Sequence, residues 1–177
     1  FQYGYEPKTL MVDKDSLRRR FTTIGLRAGA KNISPNSYGF SYHPTLDINF
    51  FSDNRKAREF NVVADAPFTK ELSGVMALSI GLKADITSYK TDVVSVNNNI
   101  FYVQPAVSFK TPNLSFVAGI TPSWNNSEFK FLPNISFESK LKDERFILQA
   151  GFVGYYNKTN YRSLATVNPF LNQPTLL

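Results

Sequence analysis

The chain contains no cysteine and a single histidine in 177 residues. Without thiols there is no disulfide framework and no thiolate metal site. A metal centre needs several converging ligands, so His43 alone does not make one. The pair Asp13 and Asp15 in "DKD" lacks the ligand spacing of a calcium loop and reads as a charged turn. No run of about 18 apolar residues occurs, which excludes a transmembrane helix but not transmembrane strands, whose hydropathy signal is far weaker. No serine elbow, glycine-rich phosphate loop or paired zinc motif is present. The expectation is a protein that is not an enzyme and carries no cofactor. The net charge is +6, but the basic residues are dispersed and only Arg18 to Arg20 form a run. A solvated rim explains this better than a nucleic-acid partner.

What the sequence does have is aromatic side chains, 15% of the total, with 16 Phe and 9 Tyr. Mean hydropathy is nevertheless −0.24. Many rings in a polar background suit strands that are wet on one side only. The stretch "SYGFSYHPTLDINFF" shows the pattern. Tyr38, Phe40, Tyr42, Leu46, Ile48 and Phe50 alternate with Gly39, Ser41, His43, Thr45, Asp47 and Asn49. In "SGVMALSIGLKADITSY", Met76, Leu78, Ile80, Leu82, Ala84 and Ile86 oppose Ser79, Gly81, Lys83, Asp85 and Thr87. A period of two recurs nearly everywhere and predicts about eight strands. They begin near Arg20, Tyr38, Arg58, Ser73, Asn99, Asn113, Glu128 and Glu144, and the last is expected to run to Tyr156. "KNISPNS", "SDNRK", "KTPN", "WNNS", "LKDE" and "NKTN" supply turns. Such short links force antiparallel neighbours, an up-and-down meander. One longer link is expected, Tyr89 to Asn99. Residues 1–19 read as less regular, and 168–177 as a loop-like tail. No domain boundary is visible.

Strand length separates two all-β architectures. Soluble strands average about 5–6 residues. A strand of about 13 residues, about 43 Å long, tilted by about 40°, spans about 33 Å and suffices to cross an outer membrane. The weak face is rich in Gly, Ser, Ala and Asn, as a crowded barrel interior would require. Gly25, Gly39, Gly81, Gly119 and Gly151 all fall within expected strands. On a transmembrane barrel, Ser41, His43, Thr45, Asp47, Asn49, Lys83 and Asp85 would face the lumen. Tyr38, Tyr102, Trp124, Tyr155 and Tyr156 would form interfacial girdles. The links near Asp53, Val94 and Asn126 would share one end. Lys90, Asp92 and Asn97, on the longer link, would be outer-loop contacts.

The phrases "NNNIFYVQPAVSFKTPNLSFVAGITPSW", "LPNISFESKL" and "FILQAGFVGYYNKTNYRSLATVNPFLNQP" resemble outer-membrane β-barrel proteins of the Bacteroidetes, related to the barrels of TonB-dependent receptors. The resemblance runs from about Phe21 onward and carries no catalytic signature. It implies a Gram-negative outer-membrane location, lipid as a partner, and receptor-like transport or porin-like passage of solutes. The chain departs from that family in showing no plug, no clear TonB box and no closing strand with a terminal aromatic. The expectation is therefore a piece of a longer barrel, whose remaining strands or other envelope proteins complete the wall. Two alternatives stay open: a soluble, secreted β-sandwich that binds glycans or a protein, and a structural subunit of an envelope assembly.

Overall fold

The computed structural model describes residues 18–141 and 146–170. Nine antiparallel strands, β1 (Phe21–Gly29), β2 (Phe40–Tyr42), β3 (Thr45–Asp53), β4 (Arg58–Ser73), β5 (Met76–Lys90), β6 (Ser95–Lys110), β7 (Leu114–Asn125), β8 (Glu128–Leu141) and β9 (Phe146–Val153), form one sheet. A short helix, α1 (Tyr161–Val167), follows. The spatial order β1-β3-β4-β5-β6-β7-β8-β9 is the chain order. β2 and β3 both pair with β4, at Phe40–Lys70 and at Thr45–Asp65 respectively. They are one line of strand interrupted at His43–Pro44, because Pro44 has no N–H to give the ladder. The expected eight-strand meander is thus the fold observed.

The turns are built from the expected residues. The Asp53 carboxylate accepts from the N–H groups of Arg55 and Ala57, both at 2.8 Å. Thr91 Oγ1 accepts from Val94 N at 3.0 Å, and Asn126 takes a left-handed φ of 50°. These three turns lie at one end of the sheet, as expected. The long link does not exist. β5 runs to Lys90 and β6 starts at Ser95, leaving a tight turn of Thr91 to Val94. Asn97 pairs with Ser88 inside the ladder. Among the described residues, the longest connection between strands is Ala30 to Gly39, at the opposite end. There Asn36 Oδ1 accepts from Tyr38 N and Phe40 N, both at 3.0 Å. Gly39 is a bend residue with φ +75°, not a strand residue; a Cβ there would sit 3.1 Å from Glu71 O.

The sheet is not closed. β1 has a paired neighbour only in β3, and β9 only in β8. Both edge strands are exposed along almost their whole length. The described residues form a single sheet, so no second β-layer covers either face, as a sandwich would need. One face is apolar and bare. Directly opposed residues share a face, so register carries the alternation across the sheet, as in Leu46–Ala64–Ala84–Phe101–Trp124–Phe129. Along β5, Met76, Leu78, Ile80, Leu82 and Ile86 are each 39–45% exposed. The core instead lies on the polar face, where Phe51, Ala57 and Tyr89 meet Tyr161 and Ala165 of α1.

Candidate functional site: the polar face and its strap

At Gly154 the chain leaves the sheet, ending β9 three residues short of the expected Tyr156. It then turns back across the polar face as a strap. Gly154 N donates to Pro133 O on β8 at 2.8 Å. Tyr156 packs on Tyr102 of β6, ring centroids 6.2 Å apart. Lys158 Nζ donates to the Asp85 carboxylate on β5 at 2.6 Å. Tyr161 N donates to Glu59 Oε2 on β4 at 2.5 Å, and its hydroxyl to Asp53 Oδ2 on β3 at 2.6 Å. The contacts step from β8 through β6, β5 and β4 to β3, so the strap runs across the strands, with the Lys158 side chain covering part of the reach.

Beyond it the chain coils into α1. Asn160 caps the helix: its side chain accepts from Ser163 N at 2.8 Å and the Ser163 hydroxyl serves the cap in return. This reciprocal arrangement satisfies two orphan donors. Glu59 takes two more, Tyr161 N and Arg162 N. A carboxylate at the positive end of a helix is favoured by the peptide dipoles. Glu59 is 2% exposed, and burial without such donors would be costly. Ring contacts complete the seat: Tyr161 meets Phe51 at 5.5 Å and Tyr89 at 5.2 Å. Burial pulls the Lys158 ammonium below its usual pKa against the opposing pull of Asp85. Burial, then the hydrogen bond to Asp53, pushes the Tyr161 hydroxyl well above its usual value.

The expected lumen residues share this face with the strap. Asp85 is a strap anchor and also accepts from Asn61 Nδ2 at 2.8 Å. Lys83 lies 3.9 Å from Asp65, and Asp47 pairs with Arg27 at 3.0 Å. Asn49 stands opposite Asn61 and Gly25. Thr45 opposes Asp65, and Ser41 opposes Thr69. His43 is exposed at the break between β2 and β3, its N–H bonded to Pro67 O. Among the described residues, no cluster of three or more His, Asp or Glu side chains is arranged to hold a metal. Asp13 and Asp15 lie outside the described residues.

Several expectations need correction. Tyr102 and Tyr156 are not at the margin of the apolar face; they pack against each other, tilted by 58°, on the polar face, with Lys130 Nζ 5.6 Å from the Tyr156 ring centroid. Trp124 does lie on the apolar face near a strand end, beside Phe129 at 5.1 Å. Tyr38 and Tyr155 are exposed, in the β1–β2 connection and on the strap. Of the outer-loop residues, only Asp92 is in a turn, paired with Lys56 at 2.7 Å; Lys90 and Asn97 are strand residues. Glu59, Lys158 and Tyr161 were not anticipated. Their signal was indirect: Phe51 and Tyr89 are rings on an otherwise polar side, and something has to cover them. The chain matches no family model, no curated protein and no solved structure.

Proposed function

We propose that this sheet is part of the wall of an outer-membrane-type β-barrel, receptor- or porin-like, through which solutes pass or on which they dock without bond-making chemistry. The supporting observation is a bare apolar face on a single sheet. From Met76 to Ile86 is ten residues of β5, about 33 Å along the strand and about 25 Å at a tilt of about 40°. That is the height of the apolar band of such barrels. In water, monomers rarely expose a continuous apolar patch above a few hundred Å², whereas lipid covers it without cost. No described helix is long and apolar enough to cross a membrane, so on this reading the strands cross it. The polar face, with Asp47, Lys83 and Asp85, lines the lumen.

The strap bears on barrel size. Eight strands closed on themselves leave an interior just wide enough for side chains. The strap lies over the polar face away from the strand ends, Tyr156 on Tyr102 and Lys158 on Asp85, and an eight-stranded interior filled by side chains leaves it no room. The free edges of β1 and β9 are then joined by further strands, which also removes unpaired backbone from the hydrocarbon. The resemblance to Bacteroidetes barrels related to TonB-dependent receptors adds the Gram-negative outer membrane as the place. Extraction tests the reading. The protein should need detergent, resist carbonate and high salt, and migrate differently on gels before and after heating. A chain that stays monodisperse in plain buffer refutes it.

A further inference from the structure

Resting on the barrel reading above, we propose that the strap from Gly154 to Val167 is a fixed constriction of the lumen and sets the size limit for solutes. Three observations carry this. The strap crosses the polar face from β8 to β3, not along one strand, so it stands across any path over that face. It is anchored at separate points on the wall by Asp85, Glu59 and Asp53. The anchors are buried: the side chains of Asp53 and Lys158 are 0% and 9% exposed. Charges buried this well are retained only when paired and hydrogen-bonded. A segment held so at several points stays in place while solute moves past.

Polar residues beside the strap's contacts are buried. Asn61 and Thr87 are 7% and 1% exposed, and Asn61 donates to Asp85, the carboxylate that Lys158 holds. Ser123 is 0% exposed and stands opposite Tyr102, on which Tyr156 packs. The outer side of the strap is accessible: Tyr155 is 79% exposed, and Asn157 and Thr159 are exposed. Those side chains meet the solute.

The chain has no cysteine, so a single introduced thiol reports without background. Thr159→Cys in the full chain, reconstituted in planar bilayers, is treated with a membrane-impermeant, bulky maleimide. Asn126→Cys, in the β7–β8 turn, is the control. The expected result is a loss of current on labelling Thr159→Cys and none on labelling Asn126→Cys. A second variant, Lys158→Met with Glu59→Gln, loosens the anchors. It should raise conductance and admit larger sugars in liposome swelling, with the heat-shifted gel band showing that the barrel still forms. Unchanged current on labelling together with an unchanged size limit overturns the constriction alone. No current and no swelling from the unaltered protein overturns the barrel reading, and the constriction with it.

Discussion

Leu82 sits near the middle of β5, on the apolar face, 45% exposed. It lies between Ile80 and Ala84 along the strand and opposite Val103 on β6. Its replacement by arginine separates a lipid-facing wall from a water-facing one by magnitude. At a bilayer midplane, an outward arginine on a barrel costs about 2–4 kcal/mol. At about 1.4 kcal/mol per factor of ten, that lowers the folding equilibrium about 30- to 700-fold. Leu141→Arg is the matched comparison. Leu141 is the last residue of β8, 49% exposed, and near an interface the cost falls to about 0–1 kcal/mol. The two positions have almost the same exposure, so exposure alone predicts equal effects; membrane depth predicts unequal ones. In water, either substitution at a surface position should stay within about 0.5 kcal/mol. The assay is a guanidinium titration of folding into lipid vesicles, read by the heat-shifted gel band and tyrosine fluorescence. Equal stabilities for the two variants, or a gain in stability for Leu82→Arg, refute the assignment of this face to lipid.

Three further outcomes follow from the geometry. A Cβ at Gly119 would lie 2.6 Å from Pro105 O and 2.7 Å from Ala106 Cβ, whereas at Gly151 the nearest atom, Ile135 O, is 3.5 Å away; Gly119→Ala should cost about 1–3 kcal/mol and Gly151→Ala almost nothing in the same titration. Lys158→Met leaves Asp85 with Asn61 but without its cation, and loss of a charge-assisted hydrogen bond should cost about 1.5–3 kcal/mol, restored in part by Asp85→Asn in the double variant. Alkaline pH should loosen the strap. A hydroxyl whose folded pKa is raised stabilises the fold below its ordinary value of 10.0 and loses that contribution as pH climbs past it. Lys158, lowered by burial, acts with the opposite sign, so the comparison with Tyr161→Phe isolates the hydroxyl. Thiol reactivity at Ser123→Cys, beneath the strap, should therefore rise above about pH 10 in the wild-type background and less so with Tyr161→Phe.

The wall was legible in the sequence because alternation is a local signal. Every expected strand from β1 to β9 has its counterpart, and Leu46, Leu82, Phe101 and Trp124 fall on the face their phase assigns. Two things were hidden. The start of β6, "SVNNN", has polar residues on both sides and three asparagines of low strand propensity, yet it continues the ladder because Asn97 to Asn99 oppose Ile86 to Ser88. Pairing with a long neighbour overrode local preference. The strap was hidden because α1 has seven residues, too few for a helical period to emerge, and because its anchors are separated by up to 108 positions in the chain. Asn160 and Ser163, three apart, were the one local mark of a helix start. Tyr156 keeps the phase of Phe146, Leu148, Ala150 and Phe152 in the sequence but packs on Tyr102 of the polar face, because the chain has left the sheet at Gly154.

The chain has a single tryptophan, and Trp124 stands on the apolar face one residue from the end of β7, 42% exposed. Its fluorescence in vesicles whose lipids carry bromine at defined acyl depths tests the central claim directly. A lipid-facing wall predicts strong quenching by bromines near the headgroup region, weaker quenching at the bilayer centre, and little by aqueous iodide. Quenching by iodide with none by brominated lipid at any depth would place this face in water and contradict the account.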